Sequence, residues 1–172
     1  MRKPLYITQD EEQIQLFRIS AVVKKYYPEL SPANTLVVMV SPDYSASVAM
    51  HLAHGLSAYG EMCDILPIHV PYPDEEVEKY RIKAERDLRN HLAFEGKEYV
   101  NYLFVEAGVI KGGTFTWLKE VFDRVVTGSR IITVAMYENV HSKFKSDIAM
   151  CYYDDTEKEL TFYFERENNH WK

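Results

Sequence analysis

The chain has 172 residues, 47% of them apolar, which is enough for one domain with a real core. Its 20 basic and 26 acidic side chains leave a net charge of −6, which argues against a general nucleic-acid binder with a dense basic face. Cys63 and Cys151 lack CxxC spacing and indicate neither a zinc site nor a disulfide scaffold, and no apolar run reaches the roughly 18 residues of a membrane span.

In chain order, Leu5-Tyr6-Ile7 reads as a short edge strand. Thr8 followed by Glu11 fits a capping box, and Ile14, Phe17, Ile19, Val22 and Val23 continue it as a helix that ends near Tyr27-Pro28. After the loop Glu29–Asn34, the unalternated run Thr35–Val40 (TLVVMV) is a strand covered on both faces of a parallel sheet. The loop Ser41-Pro42-Asp43-Tyr44-Ser45 then leads to a helix over Ala46–Leu56, with Ser45 or Asp43 able to cap it. His51 and His54 lie one turn apart, but without a third ligand they read as a helix-surface pair, and no metal site is assigned.

Cys63–Val70 is a further strand, with Pro67 indicating an edge or a bulge. Beyond the break Pro71-Tyr72-Pro73, a charged helix runs from Asp74 to about Glu95 and stops at Gly96. Its Lys79, Arg81, Lys83, Arg86 and Arg89 are interspersed with acids, the pattern of a water-facing surface that can also set a cation over an anionic substrate. Two later apolar runs, Arg130–Met136 (RIITVAM) and Ser146–Tyr153, are strands, and Leu160–Phe164 closes the sheet or pairs with its neighbour.

The stretch between these halves organises the rest. Tyr102–Thr114 reads as a buried strand (Leu103, Phe104, Val105) that emerges at Glu106 and turns through Gly112-Gly113 into a helix carrying Phe115, Leu118, Phe122 and Val125. Such a turn gathers backbone N–H groups at a helix N-terminus, where the helix dipole favours an anion, most simply a phosphate. It is not a Walker loop, since Thr114 stands where that motif needs lysine. Strand–helix alternation through the first two-thirds predicts a mainly parallel sheet flanked by helices.

The run from Val105 to Thr114 (VEAGVIKGGT) resembles the ribose-phosphate motif of type I phosphoribosyltransferases, and the order of elements from about residue 5 to 167 follows that family. The resemblance implies a single phosphoribosyltransferase-like domain over residues 1–172, an α/β fold with a small C-terminal antiparallel extension. By it, Lys111, Gly112, Gly113 and Thr114 cradle a 5-phosphate. Glu106 is the catalytic carboxylate on the ribose, Ser41, Pro42, Asp43, Tyr44 and Ser45 face pyrophosphate, and Tyr163 or Phe164 flanks the base. Mg²⁺ is implied by the resemblance alone, as are a phosphorylated small-molecule partner (phosphoribosyl pyrophosphate or a nucleotide) and a homodimer.

The motif departs from the family at Ala107, Ile110 and Lys111, and the pyrophosphate loop carries Asp43 in place of the usual basic residue or glycines. Two functions follow from this. One is a divergent phosphoribosyltransferase acting on a nucleobase-like acceptor. The other is a noncatalytic relative that binds a nucleotide or phosphorylated ligand for regulation. Enzymatic activity is left open between them. The absence of an opening signal peptide makes a cytoplasmic location the expectation.

Overall fold

A computed structural model describes residues 3–40, 42–71 and 76–161, with the side chains of 3–5, 42–44 and 158–161 left out. The elements run β1 (Lys3–Tyr6), α1 (Gln9–Tyr26), β2 (Thr35–Val40), α2 (Pro42–Gly55), β3 (Asp64–Ile68), α3 (Val77–Glu95), β4 (Asn101–Val109), α4 (Gly113–Asp123), β5 (Arg130–Asn139), β6 (Ile148–Tyr153) and β7 (Lys158–Thr161). Five strands form one sheet in the order β3-β2-β4-β5-β6, all parallel, and β1 pairs with β7 in a separate two-stranded ribbon.

The pleat of the central strands explains the layers. Leu36, Val38 and Val40 alternate with Val37 and Met39, as Tyr102 and Phe104 alternate with Leu103 and Val105, so each strand is apolar on both faces. One face receives α1 and α2 through Leu16, Ile19, Val23, Val48, Leu52 and Leu56. The other receives α3 and α4 through Ala84, Leu88, Phe115, Leu118, Val121 and Phe122. Phe122 stands edge-on to Tyr102 at 5.2 Å and to Phe104 at 4.7 Å, contacts worth about 0.5–1.5 kcal/mol each beyond area burial. The helices fall on opposite faces because β2-α2-β3 and β4-α4-β5 step in opposite directions across the sheet, and right-handed crossovers then put α2 and α4 on opposite sides.

Several local readings hold in detail. Thr8 caps α1 in a complete capping box, with the Glu11 N–H donating to Thr8 Oγ1 at 3.2 Å and the Thr8 N–H donating to Glu11 Oε2 at 2.9 Å. Gly96 ends α3 with φ +62, and β3, which contains Pro67, lies at the sheet edge.

Three expectations change. First, β4 continues past Glu106 to Val109, because the ten-residue β5 is long enough to supply partners up to Val109↔Glu138. Second, α2 begins at Pro42 rather than Ala46: proline's fixed φ suits the first helical position, so the helix starts almost as soon as β2 ends. Third, the C-terminal strands described are parallel rather than antiparallel. The connection 140–147 brings the chain back beside β5 without a helix, and side chains staple it in place. Asp147 Oδ2 accepts from the Thr133 N–H and Oγ1, both at 2.8 Å, and Glu138 Oε2 accepts from the Ser146 N–H at 2.7 Å. With those bonds fixing the return, β6 enters the sheet in the same direction as β5.

Candidate phosphate site at the β4–α4 turn

Chain order reverses between β2 and β4, where β2 leads outward to β3 and β4 leads the other way to β5. In open parallel sheets the carboxyl ends at such a point form the ligand crevice. Two strand-to-helix junctions meet this edge: β2 to α2 and β4 to α4.

At the second junction, Gly112 is the N-cap of α4 in the left-handed region, φ 79, with no side-chain cap. The first helical bond runs from the Thr116 N–H to the Gly112 carbonyl at 3.3 Å, so the N–H groups of Gly113, Thr114 and Phe115 lack an intrahelical acceptor. Gly113 is exposed, and a Cβ built on it meets nothing within 4 Å. Gly112 differs: a Cβ there falls 2.1 Å from Phe144 Cβ. Phe144 comes from the connection 140–147, which Asn139 ties to the turn by donating from Nδ2 to the Ile110 carbonyl at 3.0 Å. One side of the glycine pair is thus roofed by an aromatic ring, and the other stays open. Lys111 is exposed beside it.

Glu106 shares the pleat side of Tyr102 and Phe104, the face covered by α4. Although the residue is only partly covered, its Oε2 is shut off from solvent without a hydrogen-bond partner among the described residues. Burial pushes the carboxyl up to about 8, while a hydrogen bond with the Thr114 side chain works in the opposite direction. Near neutral pH Glu106 is therefore mainly a protonated acid.

At the first junction, Ser41 lies outside the described residues, and the backbone of Pro42, Asp43, Tyr44 and Ser45 forms the opening turn of α2. The five-residue loop expected to face pyrophosphate is thus nearly all helix. Ser45 is buried, and its Oγ has no partner among the described residues. Tyr163 and Phe164, the expected base-flanking residues, also lie outside the described residues. His51 Nδ1 sits 2.8 Å from the Ser47 carbonyl and its ring stands edge-on to Phe17. Among the described residues no group of three His, Cys, Asp or Glu side chains converges to hold a metal.

Beside the turn, on the α3–α4 face, opens a cleft of about 520 Å³ lined by Lys111 and Gly113, by Arg81 of α3, by Trp117 and Glu120 of α4, and by Lys143 and Phe144. Arg81 was readable only as one cation in a charged helix. Lys143 and Phe144 reach the site through the β5–β6 connection, and no local motif announces them.

This architecture, with a crevice at the β2–β4 switch and a glycine turn opening α4, is the fold of the type I phosphoribosyltransferases. The chain is similar to a purine phosphoribosyltransferase from Pyrococcus horikoshii (TM-score 0.65, 14% identity, covering 94% of each chain). It is similar to a xanthine-guanine-hypoxanthine phosphoribosyltransferase from Helicobacter pylori (TM-score 0.65, 11% identity, covering 99% of this chain and 98% of that one). A third similar structure is a hypothetical protein from Neisseria gonorrhoeae with bound ppGpp (TM-score 0.62, 14% identity, covering 99% and 96%). No protein-family model matches the sequence, and no curated protein matches it. At these identities the likeness establishes the fold.

Proposed function

We propose that the protein binds a phosphorylated ribose, the phosphoribosyl part of a nucleotide or of phosphoribosyl pyrophosphate, with its phosphate on the turn Lys111-Gly112-Gly113-Thr114. The observation that carries this reading is the open N-terminus of α4, where three successive N–H groups lack an intrahelical acceptor beside an unobstructed Gly113 and an exposed lysine. The phosphoribosyltransferase fold and the ppGpp held by the Neisseria protein support a nucleotide or sugar phosphate as the ligand class.

Binding without transfer is the reading that the site's chemistry favours. Glu106 keeps its proton near neutrality, Ala107 offers no second carboxylate, and helix α2 takes the place of a pyrophosphate loop. A ribose oxocarbenium-like transition state needs negative charge beside it, and a neutral acid supplies none. Transfer stays in view as a second reading on one observation: the unpartnered Glu106 Oε2 lies beside Thr114 at the turn, so a ligand that ionises Glu106 would restore the missing carboxylate.

Calorimetric titration with ribose 5-phosphate tests the binding reading. Lys111→Glu is expected to weaken the affinity about tenfold or more, since it replaces a charge-assisted contact with repulsion. An unchanged affinity, or no binding by the unmodified chain, overturns the reading. Pyrophosphate release from phosphoribosyl pyrophosphate with Mg²⁺ and a panel of bases separates the two functions, and turnover would establish the transferase.

A further inference from the structure

Ile110, Lys111 and Gly112 carry the chain from β4 into α4, and few bonds hold their backbone. Gly112 accepts the first helical bond, but for the backbone of Ile110 and Lys111 the described residues supply one hydrogen bond between them. In it, the Asn139 Nδ2–H donates to the Ile110 carbonyl at 3.0 Å. A peptide group is planar and trans, so a carbonyl drawn toward Asn139 turns the Lys111 N–H the opposite way. That N–H has no acceptor among the described residues, and it adds to the three free at the start of α4.

Asn139 is itself held firmly. It is the last residue of β5 and only 2% exposed. Its Oδ1 accepts from the His141 N–H at 3.1 Å and from the Asp155 N–H at 3.4 Å. Two N–H groups on one side and a carbonyl on the other fix which end of the amide is oxygen, and they keep it from rotating. The residue's own carbonyl accepts from the Ser142 N–H at 2.9 Å and from Lys145 Nζ at 3.4 Å. One side chain thus clamps the turn to the connection 140–147 and to the loop that follows β6.

We infer that Asn139 is the positioning residue of the anion turn, an inference that rests on the phosphate position proposed above. Buried beneath the turn, it does not touch the ligand. It acts through the Ile110–Lys111 peptide and sets the N–H groups before an anion arrives. Donors set in advance bind without the cost of ordering them, so the effect falls on affinity and not on stability alone. The side-chain bonds between Thr133 and Asp147 hold the same connection at its other end but do not reach the turn.

The test uses Asn139→Asp, which keeps an acceptor for His141 and Asp155 but sets an oxygen against the Ile110 carbonyl. Thr133→Val is the control and cuts the side-chain bonds to Asp147. Both variants should lower the urea midpoint. Calorimetry with ribose 5-phosphate should show a loss of about tenfold or more for Asn139→Asp alone. An equal loss in both variants, or none in Asn139→Asp, overturns the inference. The affinity ratio between the unmodified chain and Asn139→Asp should persist in high salt, and a ratio that vanishes there is charge repulsion and overturns it too. Should the buried carboxylate prevent folding, Asn139→Ser, neutral and too short to reach Ile110, is read in the same way. Amide NMR of the ligand-free chains separates this inference from the phosphate position. Asn139→Asp should displace the Lys111, Gly112 and Gly113 resonances, and Thr133→Val should leave them in place. If the unmodified chain does not bind ribose 5-phosphate, the phosphate position fails, and these resonances still decide whether Asn139 orients the turn.

Discussion

Two strand-to-helix junctions meet at the same edge of the same sheet, and they present different surfaces. After β2 a single residue separates Val40 from Pro42, and the helix opens on a residue with no N–H to offer. After β4, three residues separate Val109 from Gly113, one of them a left-handed glycine, and α4 opens on exposed backbone. Topology brings both junctions to the crevice, but the composition of a few residues decides which can receive an anion. The phosphate position proposed above lies on the β4 side.

The most damaging way to break this asymmetry is Gly112→Ala. A side chain there is strained at φ 79, about 1–2 kcal/mol, and its Cβ collides with Phe144, an overpacking worth roughly 1–3 kcal/mol. Chemical denaturation should report a loss of about 2–5 kcal/mol, together with loss of ribose 5-phosphate binding. A stable, binding-competent variant would mean the turn does not hold its left-handed form.

Next in size is the pH dependence set by Glu106. Its folded-state value, about 8, stands above the ordinary 4.5, so the folded chain keeps a proton that the unfolded chain gives up. Stability is then full below pH 4.5, falls as pH rises to 8, and levels off beyond. With the residue partly exposed, a loss of about 2–3 kcal/mol across that window is expected, less than the full shift implies. Urea midpoints should decline over this range in the unmodified chain and stay level in Glu106→Gln. A flat profile in both would show that the carboxyl ionises freely in the folded state.

The gentlest change sharpens the contrast instead. Gly113→Ala meets no neighbour and sits in the helix, so the fold should gain up to about 1 kcal/mol while the methyl group crowds the amides and weakens ribose 5-phosphate binding. Stability and affinity moving in opposite directions would mark a glycine kept for its ligand. Unchanged affinity would place the phosphate elsewhere.

Much of the architecture was readable because its signals are local. TLVVMV and RIITVAM announce doubly covered strands, Thr8 and Glu11 announce a helix start, and Pro67 announces an edge. What escaped depends on partners far along the chain. Nothing in Glu106-Ala107-Gly108 advertises a strand, and it is one because β5 is long enough to pair with it. The direction of β6 is set by the staples from Thr133 and Glu138, which no reading of β6 alone contains. The glycine turn was legible as a candidate anion site. The cleft was not, since Arg81, Trp117 and Lys143 converge from three separate segments.

The ribbon of β1 and β7 joins Lys3–Tyr6 to Lys158–Thr161, the pairing of greatest sequence separation in the described sheets. It acts as a clasp: no part of the ladder can form until the polypeptide between has folded back on itself, so closure carries the largest loop entropy in the molecule. Such a clasp fastens last during folding and loosens first under denaturant, and its amides should exchange with solvent well before those of the central strands.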